Sequence, residues 1–149
     1  MNKQAYDFLN SARVLHLQWL RLKAKHDALE SCLLPAAIRY DSDKVQTSPE
    51  DAMSKIVAEI NDLEVKMRMV QMYKARRIDE IDKSINAIES EEERTALAMR
   101  YISRISVPDI AEAMGYSEQR IYQFMNQGGA QIAARLKDYK NYKNRCDTV

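Results

Sequence analysis

The chain is poor in the residues that break, staple or catalyse. Its 149 residues include three glycines, three prolines, two cysteines, two histidines, two phenylalanines and one tryptophan. So few breakers exclude a fold punctuated by tight turns, and no β-strand run competes with the helical periodicity. Cys32 and Cys146 stand far apart with no second cysteine near either. That excludes a zinc-ligand spacing and a disulfide framework and fits a reducing cytosol. His16 and His26 lie ten residues apart, and no Ser-His-carboxylate or Cys-His grouping accompanies either. The acids of Glu91-Glu92-Glu93 and Asp79-Glu80 suit helix caps and solvated surface, and Gly128-Gly129 lacks the surroundings of a phosphate loop. The expectation is therefore no enzyme, no catalytic residue, no cofactor and no metal. No uninterrupted apolar run occurs, so no signal peptide or membrane span is expected and the protein is placed in the cytoplasm. The formal charge of +1, from 23 basic and 22 acidic side chains, excludes the strongly basic balance of a non-specific nucleic-acid coater.

Amphipathic helical pattern fills the chain instead, with 46% hydrophobic and 30% charged residues. Ala5, Phe8, Ala12, Leu15, Trp19, Leu22, His26, Leu29 and Leu33 recur at alternating spacings of three and four, a heptad stripe on which His26 reads as a packed side chain. A second stripe starts after Ser48-Pro49-Glu50-Asp51, a capping box with proline at the first helical position. It runs through Met53, Ile56, Ile60, Leu63, Met67, Val70, Lys74, Ile78, Ile81, Ile85 and Ile88, a helix of roughly 40 residues. The steps from Val70 to Lys74 to Ile78 form a stutter that relaxes any supercoil, with Lys74 snorkelling from the seam. The eight methionines sit mostly on such seams and read as core filler. Residues 35–48, rich in Asp, Ser and Thr, read as a connector. The stripes can then close on each other as an antiparallel hairpin or pair between copies, since one heptad pattern satisfies both.

Residues 106–126 carry the sharpest signal. Two short helices cross closely when the first offers a small residue, a glycine opens the turn and a branched apolar residue on the second plugs the gap. Ala111, Gly115 and Ile121 supply these, at spacings of four and six. Ile110, Met114 and Tyr116 extend the buried face of the first helix and turn, and Ile121, Phe124 and Met125 form that of the second. Ser106, with Asp109 three later and Pro108 in the first turn, caps one helix, and Ser117 caps the other. Upstream, Ser90-Glu91-Glu92-Glu93 is a further capping box that opens a support helix through Ile102.

Residues 93–136 resemble region 4 of bacterial sigma-70 factors. The resemblance rests on Glu93-Arg94, Leu97, Arg100-Tyr101, Ile110-Ala111-Glu112, Met114-Gly115-Tyr116-Ser117, Ile121-Tyr122, and Ala130 with Leu136. Upstream, residues 43–49 and a helix holding Asp62-Leu63-Glu64 are similar to small proteins of Gram-positive phages and prophages, the sigma-like or ArpU-type transcriptional regulators. The expected fold is all-α: a long antiparallel, coiled-coil-like hairpin at 1–89, a sigma region 4-like helix-turn-helix at 90–136 and a basic tail at 137–149.

What the resemblance implies is a regulator of transcription in a bacterial host cell, with double-stranded DNA as partner and the helical N-terminal region mediating self-association, a dimer foremost, or contact with RNA polymerase. Ser117, Glu118, Gln119, Tyr122, Gln123 and Asn126 are the candidates for reading bases, the amides being suited to adenine. Arg120 is the sole basic residue between Ser117 and Asn126, so phosphate contact falls to Ser106, Arg120, Arg135, Lys137, Lys140, Lys143 and Arg145. Tyr139 and Tyr142 interleave the tail charges, which equally suit a solvated terminal helix. Gly128-Gly129 is expected to end or bend the recognition helix, because glycine costs roughly 1 kcal/mol per helical position relative to alanine. Two alternatives stay open: a small terminase-like DNA-packaging subunit, and a protein-interaction module that no longer binds DNA.

Overall fold

The computed structural model describes the backbone of residues 1–33 and 49–146, and the side chains of 1–33 and 50–137. The expected connector, its 40–47 segment and the Ser48 cap lie outside the described residues, as do the side chains of Tyr139, Lys140, Tyr142, Lys143, Arg145 and Cys146. The chain is all-α, with no strand among the described residues. Five helices follow in order: α1 (Lys3–Ser31), α2 (Pro49–Asn86), α3 (Glu91–Leu97), which runs into a π-helical turn (Ala98–Ile102), α4 (Val107–Met114) and α5 (Glu118–Cys146). Proline opens α2, where its missing N–H leaves no orphan, and Glu50 and Asp51 complement the helix dipole there.

The backbone divides into two compact units, and α1 and α2 contribute to both. The described residues of Arg13–Ala75 form an antiparallel hairpin. Lys74 meets His16 at 3.3 Å, His26 meets Glu64 at 3.2 Å and Lys25 meets Glu59, so numbers rise on one helix as they fall on the other. Ile60 and Leu63 are buried in this seam, and Leu15, Trp19, Leu22, Met67 and Val70 are half-buried. Met53, the first residue of the expected α2 stripe, is instead 51% exposed.

The second unit joins Met1–Ala12 to residues 76 onward. One core holds Ala5, Leu9 and Ala12 of α1, Ile81 and Ile85 of α2, Ile88 after it, Leu97 of α3, Ile110 of α4 and Ile121, Phe124 and Ile132 of α5. Buried residues on both sides of Glu89 therefore share a core. Leu9 is fully buried although the heptad stripe runs through Phe8.

Three local expectations are corrected. The recognition helix does not end at Gly128-Gly129, because α5 continues to Cys146. A Cβ on Gly128 would stand 2.7 Å from Leu97 Cδ1 and 3.4 Å from Glu93 Cβ, so the missing side chain lets α5 lie close on α3. Tyr116 is 42% exposed rather than buried, since only its edge meets Phe124, at 5.2 Å between centroids and 79° between planes. The Ser90 box is half kept. Ser90 Oγ accepts the Glu93 N–H at 3.4 Å, but the Glu93 carboxylate turns inward to accept from Gln131 at 2.8 Å.

Candidate functional site

The site begins with two capped helices held at a fixed crossing. Ser106 Oγ accepts the Asp109 N–H at 3.4 Å and its hydroxyl donates to the Asp109 carboxylate, which starts α4. Gly115 ends it at φ 72°, its N–H reaching the carbonyls of Ala111 and Glu112, and the Tyr116 N–H returns to Ala111 at 3.0 Å. Ser117 Oγ then accepts the Arg120 N–H at 3.3 Å and starts α5. Ala111 and Ile121 are both buried, as a tight crossing requires. A valine at Gly115 would find open space but the wrong backbone, because a β-branched residue is strained at positive φ. Gly115→Val is expected to cost roughly 1–2 kcal/mol of this unit's stability, read by denaturant unfolding.

Upstream, the π-helical turn resets the chain before α4. Its wider loop carries the Ser103 N–H to the Ala98 carbonyl at 3.0 Å; beyond it Arg104 stands at φ 62°, the Ile105 N–H returns to the Met99 carbonyl, and Arg100 donates to the Ile105 carbonyl at 3.1 Å.

Glu118, Gln119, Tyr122, Gln123 and Asn126 are exposed and share one face of α5. Tyr122 is 51% exposed, so half of its ring surface is open to a partner on that face. Ser117 stands at the head of that face with its oxygen used in the cap. Ser106 is exposed at the start of α4, and Lys137 is exposed on α5. Arg135 is engaged elsewhere, donating to the Ser84 carbonyl at 3.5 Å and to that of Ala87, so it caps the C-terminal end of α2. Lys140, Lys143 and Arg145 lie among the undescribed side chains.

Arg120 is held on two sides. Its guanidinium lies 4.6 Å from the Phe124 ring centroid and donates to Gln123 Oε1 at 2.8 Å. The i, i+3 and i, i+4 spacings of Arg120, Gln123 and Phe124 carried this arrangement in the sequence, where Arg120 read only as a charge.

In the hairpin, His26, Asp27 and Glu30 bring possible ligand atoms within 4.8 Å of one another. The hairpin already uses the first two, because His26 bonds Glu64 at 3.2 Å and Asp27 at 3.3 Å, and Lys23 pairs with Asp27. The Glu64 and then the Asp27 carboxylate raise the His26 pKa above its ordinary value, and His26 and Lys23 lower that of Asp27. A raised folded-state pKa adds stability that is complete below the unfolded value and is lost as pH rises through the folded value. Once the intrinsic rise of exchange with pH is divided out, amide protection in the hairpin should therefore fall as pH rises through the folded-state His26 value, and Glu64→Gln should bring the His26 titration, followed by NMR, back toward its ordinary value.

A trihelical head with a capped, glycine-turned pair and a polar outward face defines a helix-turn-helix protein, carried here with a helical hairpin. A family model described as "Protein of unknown function (DUF1492)" matches residues 37–133, well over half of the chain, and the chain belongs to that family. It is also similar to the RNA polymerase sigma factor FliA of Pseudomonas aeruginosa, 37% identical over 51 residues. That stretch is 34% of this chain and 21% of the sigma factor, so the similarity spans about a fifth of the relative. No solved structure matches. Among the described residues, no helix is long and apolar enough to cross a membrane.

Proposed function

We propose that the protein is a non-enzymatic, DNA-binding regulator of transcription, of phage or prophage type. Residues 90–136 present α5 to the major groove, and residues 1–89 serve self-association or contact with RNA polymerase. The observation that carries this reading is the polar face of Glu118, Gln119, Tyr122, Gln123 and Asn126, projected by the Ala111–Ile121 crossing in a chain similar to part of a sigma factor. Phosphate contact falls to the basic residues at the edges of that face and in the tail, so binding should weaken steeply with salt.

The test selects bound fragments from a random-sequence DNA library at physiological salt, with the wild type and Gln123→Ala in parallel. A recurring motif is expected, and Gln123→Ala should weaken binding to it by on the order of 1–3 kcal/mol while leaving random DNA unaffected. Equal loss on random DNA would remove Gln123 from base reading. No enriched motif would turn the function to partner capture by the hairpin, the reading that a face with Arg120 as its sole basic side chain favours.

A further inference from the structure

We infer that Arg120 is a positioning residue that holds the Gln123 amide oxygen to itself and presents the amide NH2, so that the pair reads chiefly as a donor and favours guanine over adenine. The inference rests on the DNA-reading function proposed above. Its basis is the bond from Arg120 Nη1 to Gln123 Oε1, 2.8 Å long. A guanidinium carries five N–H donors and no acceptor, so the amide atom that faces it is the carbonyl oxygen.

Two features hold that arrangement before any DNA arrives. The guanidinium stacks on Phe124, 4.6 Å from the ring centroid, and Phe124 is itself buried and braced edge-on by Tyr116. The Arg120 backbone is fixed too, its N–H bound by the Ser117 cap. Arg120 is thus anchored by the core beneath it, and Gln123 takes its orientation from Arg120.

What the pair then offers is hydrogen-bond donors: the Gln123 amide NH2 and the Arg120 N–H groups not used on Oε1. A free glutamine reads adenine with both amide atoms, its oxygen accepting from the N6 amine and its nitrogen donating to N7. Here one of that oxygen's two lone pairs is engaged by a charged donor, and charge-assisted bonds are about twice as strong as neutral ones, so adenine must take the lone pair that remains or displace the better bond. Guanine presents two adjacent acceptors, N7 and O6, and asks for donors alone. Cytosine presents a donor amine, for which the pair offers only the remaining lone pair of Gln123 Oε1.

The experiment selects sites from a random library with the full chain as wild type, Arg120→Ala and Gln123→Ala. The position read by residue 123 is the one that loses preference in Gln123→Ala. The wild type is expected to prefer guanine over adenine there by roughly tenfold or more. Arg120→Ala frees the amide oxygen and should move that position toward adenine while the rest of the motif stands. Arg120 is exposed, so its variant should melt as the wild type does. Adenine in the wild-type motif would overturn the inference and leave the DNA-reading function intact. So would an unchanged guanine preference in Arg120→Ala together with a salt slope lower by about one, the mark of a phosphate contact. Absence of a motif in every protein would overturn the DNA-reading function itself, and the inference with it.

Discussion

Ile121→Ala is expected to cost about 2–5 kcal/mol, the range for emptying a fully buried aliphatic site. Ile121 is 0% exposed, stands in the first turn of α5 and fills the crossing with α4 beside Ala111. The surrounding residues Ile110, Leu97 and Phe124 are buried as well, so the cavity has few side chains free to collapse into it. Against a stability of about 5–15 kcal/mol for a whole domain, that loss is large enough to loosen the head at ordinary temperature. Ile121→Val removes one methylene and should cost roughly 0.5–1.5 kcal/mol. Guanidinium unfolding followed by helical ellipticity measures both, and a loss below about 1 kcal/mol in the alanine variant would mean that the crossing is not packed.

Gly128→Val should also destabilise, by about 1–3 kcal/mol or more, despite adding a side chain to a residue type that disfavours helices. The new Cβ would stand 2.7 Å from Leu97 Cδ1 and 3.3 Å from Ile88 Cδ1, the ends of two buried side chains that must shift within the core to admit it and the valine methyls. Gly128→Ala meets the same atoms with less bulk, and its gain of about 1 kcal/mol in helix propensity should offset much of the overlap. Gly129 is the contrast, because its nearest neighbour is the Met1 side chain, at 2.9 Å, and Met1 is 40% exposed and able to swing away. Gly129→Ala should therefore be tolerated. The three variants compared by thermal unfolding test whether the glycine at 128 serves close helix approach. Equal melting of Gly128→Val and the wild type would refute it.

The caps, the helix-turn-helix spacing and the heptad stripes were legible in the residues because each rests on local chemistry. A serine oxygen finds an N–H three residues on, a glycine accepts positive φ, and a periodicity near 3.6 sorts one face from another. Hence Ser106, Gly115 and Ser117 sit where their residue types place them, and α2 begins at Pro49. Met53 shows the limit of periodicity, which marks the face of a residue but not whether a neighbour reaches that far along the helix.

Only the tertiary structure decided the rest, since it turns on which surfaces approach which. Gly128 reads as a helix breaker until Leu97 is seen against it, Phe8 reads as the seam until Leu9 is found in the core, and Glu93 reads as a cap until Gln131 meets it. Arg120 reads as a lone charge until Phe124 and Gln123 are seen to hold it. By itself, the sequence determined the all-helical class, the starts of α4 and α5 at their serine caps and the outward face of α5. The arrangement of the side chains on that face was decided by packing, because a side chain's hydrogen-bonding partners are set by what lies beneath and beside it in space.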